Sequence, residues 1–362
     1  MTRPMTAAKV IDIQAQARSV ARAVGLHYVN EADPGFRRQR KRGKFQYADA
    51  DARELKQVKH LARIRALAIP PAWTDVWICP FEHGHIQATG RDARGRKQYR
   101  YHAAWSKARD AAKHARMCDF ASRLGVIRAR CQHYLRKRGL PREKVLAALV
   151  RVVDLTAIRV GHEEYARANN SFGLTTLRVR HVRIRGATVE LSFRGKSGIQ
   201  RRLQFQDRAL AQVFTRCRAL GGGHMFKFND EQGRQRRVTA EHVNAFLREL
   251  LGRNGHHYSI KDFRTWSATV RVAVELAQSE PAASQRAMRK QLLEAVRKGA
   301  EHLGNTAAIC RKSYVHPLIF EAYAQGRVVE VKAEASLLAQ EDSVRRFLLS
   351  LMQPAAVARA SR

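Results

Sequence analysis

The chain has 362 residues, 45% of them hydrophobic, enough to bury a core in two domains and too many for a chain held open by its own charge. Lys and Arg number 68 against 31 Asp and Glu, a net charge of +37, so the expected partner is a polymer of phosphates bound more weakly as salt rises. Five scattered cysteines, Cys79, Cys118, Cys131, Cys217 and Cys310, form no Cys-x-x-Cys pair, which argues against a disulfide framework or a zinc site and fits a reducing compartment.

The start of the chain lacks the apolar run of a secretory signal, and no stretch approaches the length of a membrane span. From about residue 25 to 102 short strands and turns are predicted. Phe45–Tyr47, Trp73–Cys79 and His85–Thr89 are aromatic or β-branched, and Pro70-Pro71 and Gly90–Gly95 punctuate them. Leu55, Val58, Leu61, Ile64 and Leu67 recur at helical spacing, which predicts one helix near 53–67. The basic run Arg37–Lys44 reads as a phosphate-contacting loop in preference to a nuclear signal.

After Tyr101-His102 the chain becomes rich in Ala, Arg and Leu, and helices are predicted over 103–170 with a break at Gly139-Leu-Pro141, where Pro141 can open the next helix. Leu155–Tyr165 is read as helical, so that Arg159 projects from a rigid rod. A three-strand meander is predicted over 177–184, 187–194 and 199–205, with Lys196 at the tip of its second hairpin, Gly195-Lys-Ser-Gly198. Helices are predicted again at about 207–220, 239–252, 260–278 and 284–299, the third with Ser259 and Asp262 as a capping box. Asn305–Tyr314 is read as helical, and the tail beyond 330 as one amphipathic stretch, Asp342–Met352, and a frayed end. The fold class is α+β. A small, mostly β domain spans 1–105, a larger, mainly α domain with a three-stranded antiparallel sheet spans 106–330, and a C-terminal extension covers 331–362.

Tyr314 follows Arg311, Lys312 and Ser313 directly, and in a chain of this charge that context suits a tyrosine acting on a phosphodiester. Only about one tyrosine hydroxyl in a thousand is ionised at neutral pH. Attack therefore needs cations to hold the phosphorane oxygens and a donor to protonate the leaving oxygen. Arginine suits the first task because its planar fork meets two oxygens at once. Lysine suits the second, and Asn or His can complete the oxyanion cage. Composition offers each type many times over and does not choose among them. The Gly195-Lys-Ser197 string is not a phosphate-binding loop, because Glu190 stands where that motif needs a glycine. His302 and His316 near the tyrosine read as surface or packing residues, and Cys310 as packing.

Six blocks in order, Leu67–Trp77, Gly84–Tyr99, Asn170–Leu177, Phe193–Gly198, Lys261–Trp266 and Leu303–Pro317, resemble the type IB DNA topoisomerases, specifically the small poxvirus-like enzymes of bacteria. The resemblance runs from about Gly35 to Gly326. It implies Tyr314 as the nucleophile of a 3′-phosphotyrosyl linkage, Arg159 and Arg264 as transition-state clamps, Lys196 as general acid, and Asn305 where poxvirus and eukaryotic members carry histidine. It also implies DNA contacts at Gln98, Tyr99, Tyr101 and Tyr165, and at Arg91 or Arg94.

The resemblance further implies a monomeric, C-shaped clamp around double-stranded DNA that relaxes supercoils of both signs by nicking, rotation and religation. No ATP, other nucleotide, metal or cofactor is expected, and the expected location is the cytoplasm, at the nucleoid and away from membranes. Two other readings stand beside this one. A tyrosine recombinase would share the catalytic architecture but typically presents His-x-x-Arg, where this chain has Lys261-Asp-Phe-Arg264. A non-catalytic basic DNA-binding protein would share only the charge.

Overall fold

The computed structural model describes residues 17–41, 43–230, 232–252, 258–332 and 334–352. The chain divides into two compact units, Met1–Ala115 and Arg116–Arg362. The chain start and the expected frayed end lie outside the described residues.

The first unit is built on a five-stranded antiparallel sheet in the order β2-β1-β3-β4-β5, where β1 is Phe36–Lys41, β2 Lys44–Ala48, β3 Thr74–Ile78, β4 Ile86–Arg91 and β5 Lys97–Tyr101. Helix α1, Val58–Ala66, places Ile64 in a core with Phe36, Leu55, Val76, Ile78 and Ala88. It begins later than the periodicity predicts, because Leu55 is used before the helix starts. The basic run is a hairpin and not a loop: Arg37–Lys41 pair with Lys44–Ala48. One of its cations is committed to the fold, since Arg38 donates to the carbonyls of Ile69 (3.3 Å) and Pro70 (3.1 Å).

Helix α2, Ala103–Leu135, runs through the residue at which the units divide. In the second unit α3, Arg142–Thr156, is the central rod, with Val145–Val150, Val152 and Val153 all buried. A helix apolar on every side must be surrounded. Helices α5 (Arg208–Ala219), α6 (Ala240–Leu251) and α7 (Ile260–Ala277) pack around it. Pro141 is the cap residue just before α3 and not its first turn.

The meander is present as an antiparallel sheet of β6 (Val182–Arg185), β7 (Thr188–Arg194) and β8 (Gln200–Gln206). The stretch before Val182 turns in short 3-10 segments, and a small hairpin, Lys227–Asn229 with Gln235–Arg237, lies in a stretch the sequence left unassigned.

The C-terminal part continues through α8 (Gln285–Leu303), α9 (Ala307–Ser313), α10 (Pro317–Ala324) and α11 (Leu337–Met352). Helix α11 is longer than predicted and anchored: Val344 and Leu348 are fully buried, and Glu341 bonds Arg128 (2.6 and 2.9 Å), which also grips Asp154 (2.8 and 3.0 Å). Among the described residues no helix is long and apolar enough to cross a membrane.

Candidate active site

Arg159 does not lie on a helix, which corrects the reading of Leu155–Tyr165. Helix α3 ends at Thr156, Ala157 takes a left-handed conformation (φ 49°), and the next helix, α4 (Glu163–Asn169), starts only at Glu163. Two features end the rod, one local and one that needs a second segment. The Thr156 hydroxyl turns back to the Val152 carbonyl (2.6 Å) and accepts from Ile158 N–H (3.3 Å), which replaces helix geometry. Gly161 (φ +85°) then lets the strand of chain meet Gly173 backbone to backbone; a Cβ on Gly173 would fall 2.6 Å from Gly161 Cα. Leu174 N–H to Arg159 O (2.8 Å) and Thr175 N–H to Val160 O (2.7 Å) complete the lock. Arg159 is thus held by a paired loop.

Arg264 sits on the first turns of α7, five residues after Ser259. Asp262 reaches back to accept from Ser259 N–H (2.7 Å) and the Ser259 hydroxyl (3.0 Å), so half of the expected box forms. Arg264 is only 3% exposed, an extreme position for a guanidinium. It donates to the carbonyls of Ala157 and Leu303, the second at 3.0 Å. Its Cζ lies 5.3 Å from the centre of the Tyr314 ring. Burial, then the charge of Arg159, pull its pKa down to about 10, with the adjacent Tyr314 opposing, and it remains a cation at neutral pH.

Tyr314 is the residue that ends α9, so its backbone is fixed by Cys310 O (3.0 Å) and its side chain leaves the helix. Thr269, fully buried on α7, has its hydroxyl shared between the carbonyls of Thr265 (3.0 Å) and Tyr314 (3.2 Å) and accepts from His316 N–H (3.1 Å). Burial alone would raise the Tyr314 phenol. The charge and donor of Arg264, with Lys261 and Arg159, outweigh it and hold the pKa below that of free tyrosine.

Asn305 follows the last turn of α8. Its Oδ1 accepts from Arg159, whose Nη2 also reaches Gly304 O (3.0 Å). The Asn305 Nδ2 is buried without a hydrogen-bond partner, and so is Arg264 Nε. A buried donor left unmade costs about 1–3 kcal/mol. Both belong to side chains of the cluster around Tyr314. The half-buried charge of Arg159 has its pKa lowered by desolvation, which an anion would relieve.

The structure therefore brings Arg159, Arg264, Asn305 and Tyr314 together. Lys196 is not in that cluster. It is exposed on the turn between β7 and β8, where Gly195 N–H bonds Ile199 O (2.8 Å) and both Ser197 and Gly198 take positive φ. Its ammonium makes no hydrogen bond or ion pair among the described residues. Cys310 is buried, with its thiol pushed up to about 11 by desolvation. His316 is 4% exposed and caps α10 by accepting from Leu318 N–H (3.2 Å). His302 bonds Ser267 (2.8 Å), and burial lowers its pKa to about 4. Among the described residues no three His, Cys, Asp or Glu side chains are grouped as a metal site.

Family models match the chain over both units. One described as the catalytic core of eukaryotic DNA topoisomerase I matches residues 102–341, and one described as the N-terminal domain of bacterial DNA topoisomerase IB matches 44–92. The chain belongs to the type IB DNA topoisomerases. A DNA topoisomerase 1B of Acanthamoeba polyphaga mimivirus is 30% identical over 299 residues, covering 80% of this chain and 87% of the viral protein. The chain is accordingly a DNA topoisomerase, an isomerase whose substrate is DNA, and its α+β fold is that of the family.

Within this topoisomerase the expected DNA contacts at Gln98, Tyr99, Tyr101 and Tyr165 lie on two elements. On β5, Tyr99 and Tyr101 share one face, stacked 5.7 Å apart with planes 9° from parallel, and are 43% and 39% exposed. Gln98, directly before Tyr99 on β5 and opposite Gly90 of β4, is half-buried and donates to Asp92 (3.0 Å). Tyr165 is 50% exposed on α4, a separate helix from the loop of Arg159.

Sequence reasoning passed over Thr269 and Arg201. No local signal marks either: Thr269 is one hydroxyl in a helix, and Arg201 is one cation among 68.

Proposed function

We propose that this topoisomerase cleaves one DNA strand by direct attack of Tyr314 on a phosphodiester. The Tyr314 oxygen bonds to phosphorus as the P–O5′ bond breaks, leaving a 3′-phosphotyrosyl linkage and a free 5′-hydroxyl. The guanidinium groups of Arg159 and Arg264 hold the non-bridging oxygens, Asn305 donates to one of them, and Arg159 takes part in moving the tyrosine proton. Lys196, free on its hairpin, protonates the departing 5′-oxygen. The linkage conserves the energy of the bond it replaces, so reversal needs no ATP. Rotation of the free end before religation follows the torque and relaxes both signs of supercoil. The partner is double-stranded DNA, and the enzyme acts as a monomer.

The observation that carries this reading is the pair of buried, unpartnered donors, Asn305 Nδ2 and Arg264 Nε, in the cluster that surrounds Tyr314. Supercoiled plasmid without any special sequence tests it. Stepwise relaxation of both positive and negative supercoils in EDTA, without nucleotide, is expected. A plasmid that stays supercoiled would favour a recombinase or a plain DNA-binding protein.

A further inference from the structure

The last carbonyls of a helix have no partners within it. At the end of α8 each is accounted for. Ala300 O accepts from Asn305 N–H (2.9 Å) and Glu301 O from Gly304 N–H (3.0 Å), a Schellman turn closed by Gly304 at φ 61°. Arg201 on β8 donates Nη1 to Glu301 O (3.0 Å) and Nη2 to His302 O (2.9 Å). Arg264 takes Leu303 O and Arg159 takes Gly304 O. Three cations from three separate elements thus converge on the negative end of one helix, immediately before Asn305.

We propose that Arg201 is a positioning residue for strand cleavage: it fixes the turn Leu303–Asn305 and thereby the two acceptors, Gly304 O and Asn305 Oδ1, to which Arg159 is bonded. The guanidinium also closes over Gly304, where a Cβ would lie 2.5 Å from Nη1 and 2.7 Å from Cζ. Because β8 starts four residues after Lys196, the same two bonds tie the root of the Lys196 hairpin to the Asn305 turn. Two adjacent carbonyls need two donors at fixed spacing, which the arginine fork supplies and a lysine ammonium does not. The inference rests on the roles proposed for Arg159 and Asn305.

The test is single-turnover cleavage of a DNA duplex whose cleaved strand is lost on release, at saturating enzyme. Non-covalent affinity is measured in parallel on variants that also carry Tyr314→Phe. A misplacement of the order of 1 Å costs about 100-fold in rate. Arg201→Ala is expected to slow cleavage by about that factor with the dissociation constant changed less than about threefold, and Arg201→Lys to fall between it and wild type. If Arg201 works through Asn305, Arg201→Ala with Asn305→Ala cleaves no more than about threefold slower than Asn305→Ala alone. Arg202→Ala removes the same charge from the opposite face of the strand and should stay within about threefold of wild type.

A wild-type rate in Arg201→Ala, fully multiplicative defects in the double variant, or an equal loss in Arg202→Ala overturns the proposal. Should Arg201→Ala fail to fold, a wild-type rate in Arg201→Lys overturns it. Asn305→Ala cleaving at the wild-type rate would instead remove the reading of the site on which the proposal rests.

Discussion

Asn305→Ala removes a side chain that serves the substrate more than the fold. In the free protein its Nδ2 is buried without a partner while its Oδ1 accepts from Arg159. An unmade buried donor costs about 1–3 kcal/mol, and a hydrogen bond to a charged group contributes about 1.5–3 kcal/mol, so deletion removes two terms of similar size and opposite sign. The melting temperature is therefore expected to move by less than about 4 °C. Cleavage behaves differently, because the amide donor meets its acceptor only when a phosphate is present. Loss of one donor from an oxyanion cage slows a reaction about 100- to 1,000-fold, and with Arg159 and Arg264 still in place the lower end is expected. Asn305→Asp should be slower still, since it keeps the acceptor for Arg159 but turns a negative charge towards an anion. Asn305→His, which restores a donor, should recover part of the rate. The assay is single-turnover formation of the covalent adduct, with affinity measured separately on a Tyr314→Phe background. An Asn305→Ala rate within about threefold of wild type, or a loss in affinity matching the loss in rate, would refute the reasoning.

Thr269→Val keeps the shape but leaves His316 N–H unpaired and removes the hydroxyl that the Thr265 and Tyr314 carbonyls share, so a loss of about 1–3 kcal/mol in urea unfolding and slower cleavage at unchanged affinity are expected, both restored by Thr269→Ser. Lys196→Ala should slow cleavage far more than binding, and the defect should shrink on a substrate with a 5′-thiolate leaving group, which needs no acid; an undiminished defect would remove Lys196 from that role. Glu341→Ala breaks the half of the Arg128 clamp that holds α11, and a loss of about 2 kcal/mol is expected, less than for a fully buried pair because Arg128 keeps Asp154 and some solvent. Burial lowers His114, His181 and His302 each to about 4, so the unfolded chain binds more protons below about 6.5. The stability these neutral rings contribute is complete above that value and is lost as the pH falls towards about 4, which denaturant midpoints measured across the window will show; a flat profile would contradict it.

How far the sequence disclosed this arrangement depended on how local each determinant is. The Gly195–Gly198 turn carries its own instructions in two glycines at close spacing, so the Lys196 hairpin could be placed from the chain alone. The cap at Ser259 is equally local, though its hydroxyl ends as a donor to Asp262 in place of an acceptor. The loop of Arg159 was misread because Leu155, Ile158 and Val160 keep an apolar pattern that suits a helix, while the break depends on Gly161 meeting Gly173 twelve residues later. The buried, unpartnered donors at Asn305 and Arg264 and the three-arginine closure of α8 arise only when distant segments meet. Resemblance could nominate Arg159, Arg264 and Asn305 one by one; it could not say that they share the end of one helix. Arg201 had no signal of its own, and the commitment of Arg38 to the turn at 69–73 likewise appears only in three dimensions.

The central claim is that Tyr314 becomes bonded to DNA. Incubation with 5′-labelled and 3′-labelled duplexes, followed by SDS, tests it most directly. The expected result is a denaturation-resistant adduct that retains the 5′ label, leaves a free 5′-hydroxyl on the other fragment, and is absent from Tyr314→Phe. An adduct that persists in Tyr314→Phe, or one joined through the 5′ end, would contradict the account.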